Sequence, residues 1–222
     1  MDRASGDQED GQFAGIKAAR LSGVHWAGIT ARHAFFAKAE IVGVRWLLAW
    51  PGASDFRDAH LFDDIAWYGD YQGCIFADDP GPGLMNKALT RDDRKKPHIA
   101  SFRGGDFSHS TFGGARLAFV EFFLTNLTEA DFSFADLRGV KFAHCRLKAA
   151  EFLKARVQRS TFNCCDLAEA NFELDTDLQD ATFIRCSLNG ASFGGAKLQR
   201  STFTDCDLAE ANFGGAILKV QI

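Results

Sequence analysis

ADFSFADL, at residues 130–137, sets a pattern that returns as ANF at 170–172 and again at 211–213. In each copy a large apolar residue stands two positions after an alanine, and in the first copy the next large residue follows five positions later. A period of five fits neither an α-helix, at about 3.6 residues per turn, nor a strand, whose side chains alternate. It fits a backbone that turns a corner every five residues, with the large and the small residue pointing inwards.

The pattern is an internal repeat that covers most of the chain. Four five-residue sides give a coil of 20 residues, and successive coils should pair backbone to backbone. The expected separation is that of neighbouring strands, about 4.8 Å. One extra residue follows Phe172, which predicts that Asp175 bulges outwards while Leu178 stays inside. The large apolar centres are Phe102, Phe107, Phe112, Leu117, Phe122, Leu127, Phe132, Leu137, Phe142, Leu147, Phe152, Val157, Phe162, Leu167, Phe172, Leu178, Phe183, Leu188, Phe193, Leu198, Phe203, Leu208, Phe213 and Leu218.

Residues 13–76 carry the same period in a degenerate form. The pattern weakens at Pro51 and at 64–66, where an acidic residue would occupy an inward slot, so we expect a distorted corner or bulge there. Taking every fourth centre places similar residues over one another, as a 20-residue coil requires. The predicted columns are Ile16/Phe36/Phe56/Phe76, Leu21/Ile41/Leu61 and Trp26/Trp46.

The pattern stops at 77–98, between these degenerate coils and the regular coils of 99–222. This segment contains DPGPG at 79–83 and RDDRKKP at 91–97, and proline and glycine at that density do not fit a ladder of strands. We therefore predict a projecting loop, since a long loop in a compact domain is usually functional or disordered. Its candidate partner-binding residues are Asp78, Asp79, Arg91, Asp92, Asp93, Arg94, Lys95 and Lys96.

Composition excludes several classes of protein. The net charge of −4 excludes a generally basic nucleic-acid-binding protein. No apolar stretch is long enough to span a bilayer, so neither nucleic acid nor a membrane is an expected partner. Residues 1–12 form a polar, acidic tail that we expect to be disordered and that does not resemble a secretory signal. Six cysteines without such a signal indicate reduced thiols and a cytoplasmic location.

The residues that most often carry chemistry show no catalytic arrangement. Cys145, Cys165, Cys186 and Cys206 share the small inward slot on one side and should form a straight ladder. Zinc requires ligands that converge tetrahedrally, so the ladder is interpreted as small apolar filling. The six histidines are scattered, and a filled interior offers no pocket for acid–base catalysis. We therefore expect no catalytic, metal or cofactor site and no enzyme.

Four triplets, ADF at 130–132, ADL at 135–137 and ANF at 170–172 and 211–213, resemble the A(D/N)LXX signature of the pentapeptide-repeat family. The resemblance implies an all-β fold, a right-handed four-sided parallel β-helix, here of about nine coils with one long loop. In its phenylalanine-rich centres and in the cysteines of its small slot, the chain is similar to family members that confer resistance to quinolones and other topoisomerase poisons. Resemblance to those members implies that the chain binds DNA gyrase or topoisomerase IV by DNA mimicry. The alternative is a scaffold or an effector- or secretion-associated interaction module without a topoisomerase link.

The five-residue register assigns each outward charged residue to one side of the predicted coil. From Ala100 onward there are 15 acidic and 13 basic residues, a weak excess for a DNA mimic. One side is basic, with Arg116, Arg138, Arg156, Arg159, Lys197, Arg200 and Lys219 beside Gln158, Gln179 and Gln199. The side with the cysteine ladder is acidic, and its candidate partner-binding residues are Asp106, Glu129, Asp166, Glu169, Asp207 and Glu210.

The end of the repeat predicts self-association. Leu218, Val220 and Ile222 alternate as a strand would and would leave an uncovered apolar edge on the last coil. An isologous contact closes, whereas a head-to-tail contact would grow into fibres. We therefore expect a homodimer joined through the C-terminal coils, with a monomer whose last residues fold back over the open end as the alternative.

Overall fold

The structure is a computed structural model, and it describes residues 101–218, Phe36 and six short strands nearer the N-terminus. The six strands form two parallel sheets, in the orders β1-β3-β5 and β2-β4-β6. Consecutive strands therefore alternate between two sides, as the coil predicts. Their bounds are β1 Arg20–Ser22, β2 His25–Ala27, β3 Glu40–Val42, β4 Arg45–Ala49, β5 His60–Phe62 and β6 Trp67–Gly69.

The backbone register of these strands confirms two of the predicted columns. Leu21 pairs with Ile41, and Ile41 with Leu61, which is a step of 20 residues each time. Trp26 pairs with Trp46, but Trp46 then pairs with Trp67, with a register shift between Leu47 and Ala49. One extra residue therefore separates the last pair. Residues 64–66 lie outside the described residues, so the distorted corner expected there stays a prediction. The predicted loop at 77–98 lies outside the described residues.

The regular region has four columns of parallel pairing, which we name face A to face D. Face A is a six-stranded sheet in the order β12-β11-β10-β9-β8-β7. Its strands are β7 Ser101–Arg103, β8 Glu121–Phe123, β9 Lys141–Ala143, β10 Thr161–Asn163, β11 Thr182–Ile184 and β12 Thr202–Thr204. The other faces are columns of single bridges, running from Asp106 to Asp207 on face B, from Thr111 to Asn212 on face C and from Arg116 to Ile217 on face D.

These pairings confirm the four-sided parallel β-helix. About five turns separate the centre of β7 from the centre of β12. The count of about nine coils for the whole chain includes segments outside the described part, so it stays a prediction. Each coil exchanges hydrogen bonds with the next: the amide of Phe132 donates to the carbonyl of Glu151 at 2.8 Å, and the amide of Glu151 donates back to the carbonyl of Ala130 at 3.0 Å.

Two columns of phenylalanine fill the core. On face C the ring of Phe152 stacks on Phe132 at 5.2 Å and on Phe172 at 4.5 Å between centroids, and Phe172 stacks on Phe193 at 5.0 Å. This confirms the predicted continuous stack. The face A column meets it edge to face, with Phe142 at 6.4 Å from Phe152 and nearly perpendicular. Alternating stacked and perpendicular rings are the arrangements that the aromatic quadrupole favours, so two stacks fit one narrow interior.

The extra residue after Phe172 forms an outward bulge. Leu174 and Asp175 both adopt positive φ, at 56° and 67°, and both are exposed. Thr176 takes the small inward slot, and its hydroxyl donates to the carbonyls of Phe152 at 2.6 Å and Glu173 at 2.7 Å. Leu178 is fully buried, so the inward register resumes one residue later, as predicted.

Candidate partner-binding faces

The four cysteines form the predicted ladder, and their thiols donate hydrogen bonds to backbone carbonyls. The thiol of Cys165 donates to the carbonyl of Phe142 at 3.4 Å, and the thiol of Cys186 donates to that of Phe162 at 3.4 Å. All four are free thiols. Hydrogen bonds with neighbouring thiols, together with burial, raise the pKa of Cys165, and burial raises the pKa of Cys206. The hydrogen bond with Cys165 lowers the pKa of Cys186 to about 7. The four side chains stand in a straight column, where they fill the small inward slot and do not converge on an ion. Within residues 101–218 and the N-terminal strands, no group of three or more potential ligands could hold a metal.

Face B gathers the six acidic residues predicted for it. Asp106, Asp166 and Asp207 stand in its bridge column. Glu129, Glu169 and Glu210 occupy the corner between faces B and C and are exposed. The aspartates are fixed by local turns, because Asp166 accepts the amide of Ala168 at 3.2 Å and Asp207 accepts that of Ala209 at 3.0 Å. In Asp166 and in Asp207, one carboxylate oxygen holds the turn, and the other is left for solvent or a partner.

Two cations stand among these acids on face B: Arg146 lies between Asn126 and Asp166 in the bridge column, and Lys148 lies on the same coil as Arg146. Lys148 lies 3.2 Å from Glu169, and the imidazole of His109 lies 3.2 Å from Glu129. In the part of the chain that the structure describes, Asp207 and Glu210 form no ion pair. The negative charge of face B is therefore strongest towards the C-terminal coils.

Face D is less basic than its arginines suggested. Arg138 pairs with Asp136 at 2.6 Å, and Arg200 pairs with Asp180 at 2.6 Å. These hydrogen bonds raise the pKa of Arg138 and lower the pKa of Asp180. Sequence reasoning missed the two aspartates, although the five-residue register alone places them on the same side as the arginines. The basic side is thus largely paired within itself.

Face C carries an acidic group that sequence reasoning also missed. Glu151 lies between Asp131 and Asn171 in the bridge column. Burial raises the pKa of Glu151, and the nearby charges of Asp131 and Glu173 raise it further. One carboxylate oxygen of Glu151 is buried without a hydrogen-bond partner. The face C group has three acidic residues, Asp131, Glu151 and Glu173, whereas face B with its corner has six.

Comparison with known families agrees with this geometry. A family model described as a pentapeptide repeat region matches residues 155–220. A second, described as pentapeptide repeats in eight copies, matches residues 125–163. Residues 125–220 therefore carry the repeats of the pentapeptide-repeat family. No curated protein matches its sequence.

Solved structures similar to this pentapeptide-repeat protein share little sequence with it. HetL from Nostoc sp. strain PCC 7120, a pentapeptide-repeat protein involved in heterocyst differentiation regulation, is 16% identical over 91% of this chain and 90% of its own, with a TM-score of 0.34. QnrB1, a plasmid-mediated fluoroquinolone resistance protein, is 17% identical over 92% and 85%, with a TM-score of 0.32. Rfr23 from Cyanothece 51142 is 19% identical over 71% and 84%, with a TM-score of 0.19.

The remaining candidate residues of this pentapeptide-repeat protein divide in two. The charged loop residues, from Asp78 to Lys96, and the terminal Val220 and Ile222 lie outside the described residues, so their roles stay predictions. Leu218 is described, and its surface is 62% exposed at the last coil. No helix in the described part is long and apolar enough to cross a membrane.

Proposed function

We propose that this chain is a non-catalytic protein-binding module and that face B is its docking surface. The observation that supports this most directly is the contrast between the interior and the surface. The inward slots are filled by stacked rings and aliphatic side chains, whereas face B presents carboxylates on four of its six coils and the cations Arg146 and Lys148 on a fifth. A small-molecule site needs a concave pocket, but a protein partner needs only a complementary surface.

The charge on face B indicates a basic partner surface. Exposed charges steer encounter and suppress wrong partners more than they add affinity. Because the aspartates are held by turns and the coils by backbone ladders, binding would order few additional groups and would lose little conformational entropy. The partner is therefore expected to associate quickly at low salt and more slowly as salt rises.

A type II topoisomerase is a more specific candidate, which the sequence resemblance alone suggests. Duplex DNA carries one negative charge per about 1.7 Å of axis. On face B, Asp166 and Glu169 share one coil, Asp207 and Glu210 share another, and the coil between them carries Ser187. At about 4.8 Å per coil this density is well below that of DNA. A supercoiling assay with gyrase and a quinolone tests the candidate directly: protection would support it, and its absence would leave the general protein-binding role.

Site-directed photo-crosslinking tests the docking surface. A photoreactive amino acid replaces Ala168 on face B or, as a matched control, Ala118 at the same repeat position on face D. We expect a cross-linked partner in host extract from position 168 and not from position 118, with the yield falling in high salt because the contact is ionic. Equal products from both positions, or none from position 168, would contradict the proposal.

We also propose that two copies meet through the last described coil. Phe203 and Phe213 are only partly buried there, whereas Phe183 and Phe193, one coil earlier, are fully buried. An isologous contact would cover this end and close. Light scattering is expected to give twice the monomer mass of 24.4 kDa. Leu218→Asp should restore the monomer without melting earlier coils, since Leu218 is exposed. A chain that stays monomeric at high concentration would rule out the contact.

A further inference from the structure

The acidic surface of face B is built twice from the same sequence. CDLAEANF occurs at 165–172 and again at 206–213. The core period constrains only the inward residues, yet the outward Asp, Ala, Glu and Asn are also identical in the two copies. Asp166 bridges to Ser187, and Ser187 bridges to Asp207, so the copies lie two coils apart in one column. At about 4.8 Å per coil their carboxylates repeat every 10 Å or so along the axis.

The coil between the two copies carries no positive charge on face B that would compensate the acidic residues. On face B it contributes Ser187, Asn189 and Gly190, none of which carries a charge. At the corner between faces D and A the same coil contributes Asp180, which pairs with Arg200 at 2.6 Å. The charges of Asp180 and Arg200 are thus neutralised within the chain, whereas face B retains the two acid pairs Asp166/Glu169 and Asp207/Glu210.

The surface between the aspartate and the glutamate is also similar in the two pairs. Between the aspartate column and the glutamate corner lie the side chains of Ala168, Asn189 and Ala209, one on each of three successive coils. An α-helix with its side chains is about 10–12 Å across, and seven residues of helix rise about 10.5 Å. A helix that lies along the coil axis over these residues would bring basic residues seven positions apart onto successive acid pairs.

Resting on the proposed protein-binding role of face B, we propose that the partner segment is an α-helix that lies parallel to the coil axis and carries lysine or arginine every seventh residue. The Asp166/Glu169 pair takes one cation and the Asp207/Glu210 pair takes the next. Asp207 and Glu210 contribute most, because no cation of the described chain competes for them, whereas Glu169 also contacts Lys148 at 3.2 Å.

Synthetic helical peptides test the spacing. Two labelled alanine-based peptides carry three lysines on one helical face, spaced by seven residues in one and by four in the other, and binding to the full chain is followed by fluorescence anisotropy. We expect the seven-spaced peptide to bind at least about fivefold more tightly, as two exposed ion pairs allow. A third, proline-rich peptide presents its lysines at the same distance on an extended backbone. It should bind no better than the four-spaced helix.

Matched variants locate the site. Asp207→Asn with Glu210→Gln should remove the preference for the seven-spaced peptide. The turn should persist, because Asn212 holds the equivalent turn by accepting the amide of Gly214 at 2.9 Å. Asp131→Asn with Glu173→Gln makes the same charge change on face C and should leave the preference intact.

Three results would overturn the proposal: equal binding of both helical peptides, equal binding of the extended peptide, or an unchanged preference in the face B variant. If photo-crosslinking at position 168 still captured a partner, the docking role of face B would stand and only the helical spacing would be wrong. If it captured none, both would fail.

Discussion

Phe152→Ala is expected to lower the free energy of unfolding by about 3–5 kcal/mol, as emptying a packed aromatic site does. The ring is fully buried and stacks on Phe132 on one side and Phe172 on the other. It also meets Phe142 and Phe162 edge to face. The backbone around it is held to both neighbouring coils by hydrogen bonds, so the cavity cannot collapse. Urea unfolding followed by circular dichroism measures the change.

Two other phenylalanines provide controls for this result. Phe213 stacks on Phe193 alone and is only partly buried, so Phe213→Ala should cost about 1–2 kcal/mol. Phe134 has 64% of its surface exposed, and Phe134→Ala should change stability by less than about 0.5 kcal/mol. A loss below about 1 kcal/mol for Phe152→Ala would mean that the double stack contributes little.

Deleting one residue should have opposite results at two sites. Without Asp175, Phe172 and Leu178 would be five positions apart, and Thr176 would still fill the small slot. We expect a change within about 1 kcal/mol, because one residue with positive φ, a strained conformation, is removed. Deleting Glu169 instead leaves a four-residue side between Leu167 and Phe172. Every later inward residue would be shifted by one position relative to the coils, and the free energy of unfolding should fall by more than about 4 kcal/mol.

Urea midpoints and amide hydrogen exchange of the two deletion variants, each against the unmodified chain, measure the difference. Protection in coils after the deletion should persist without Asp175 and vanish without Glu169. Similar destabilisation by both deletions would mean that the five-residue register does not control the stacking of coils.

How much the sequence predicts depends on which way a residue points. The stack of Phe132, Phe152 and Phe172 followed from period alone, because every inward slot recurs at a fixed position of the coil. The neutralising role of Asp136 and Asp180 did not follow, because pairing between outward side chains depends on rotamers that the period leaves free. The raised pKa of Glu151 was missed for the same reason, since its burial comes from neighbouring outward side chains.

The direction of the backbone ladders determines how this rod would respond to force. Each coil is joined to the next by hydrogen bonds that run along the axis, such as that from Leu147 to Asp166 at 2.6 Å. Tension applied along the axis would pass through every ladder in series. The end coil is bonded to a neighbour on one side only, so the rod would unravel one coil at a time from an end. Each coil of 20 residues would release about 60 Å of extended chain. A rod held together in this way resists bending far better than it resists being peeled.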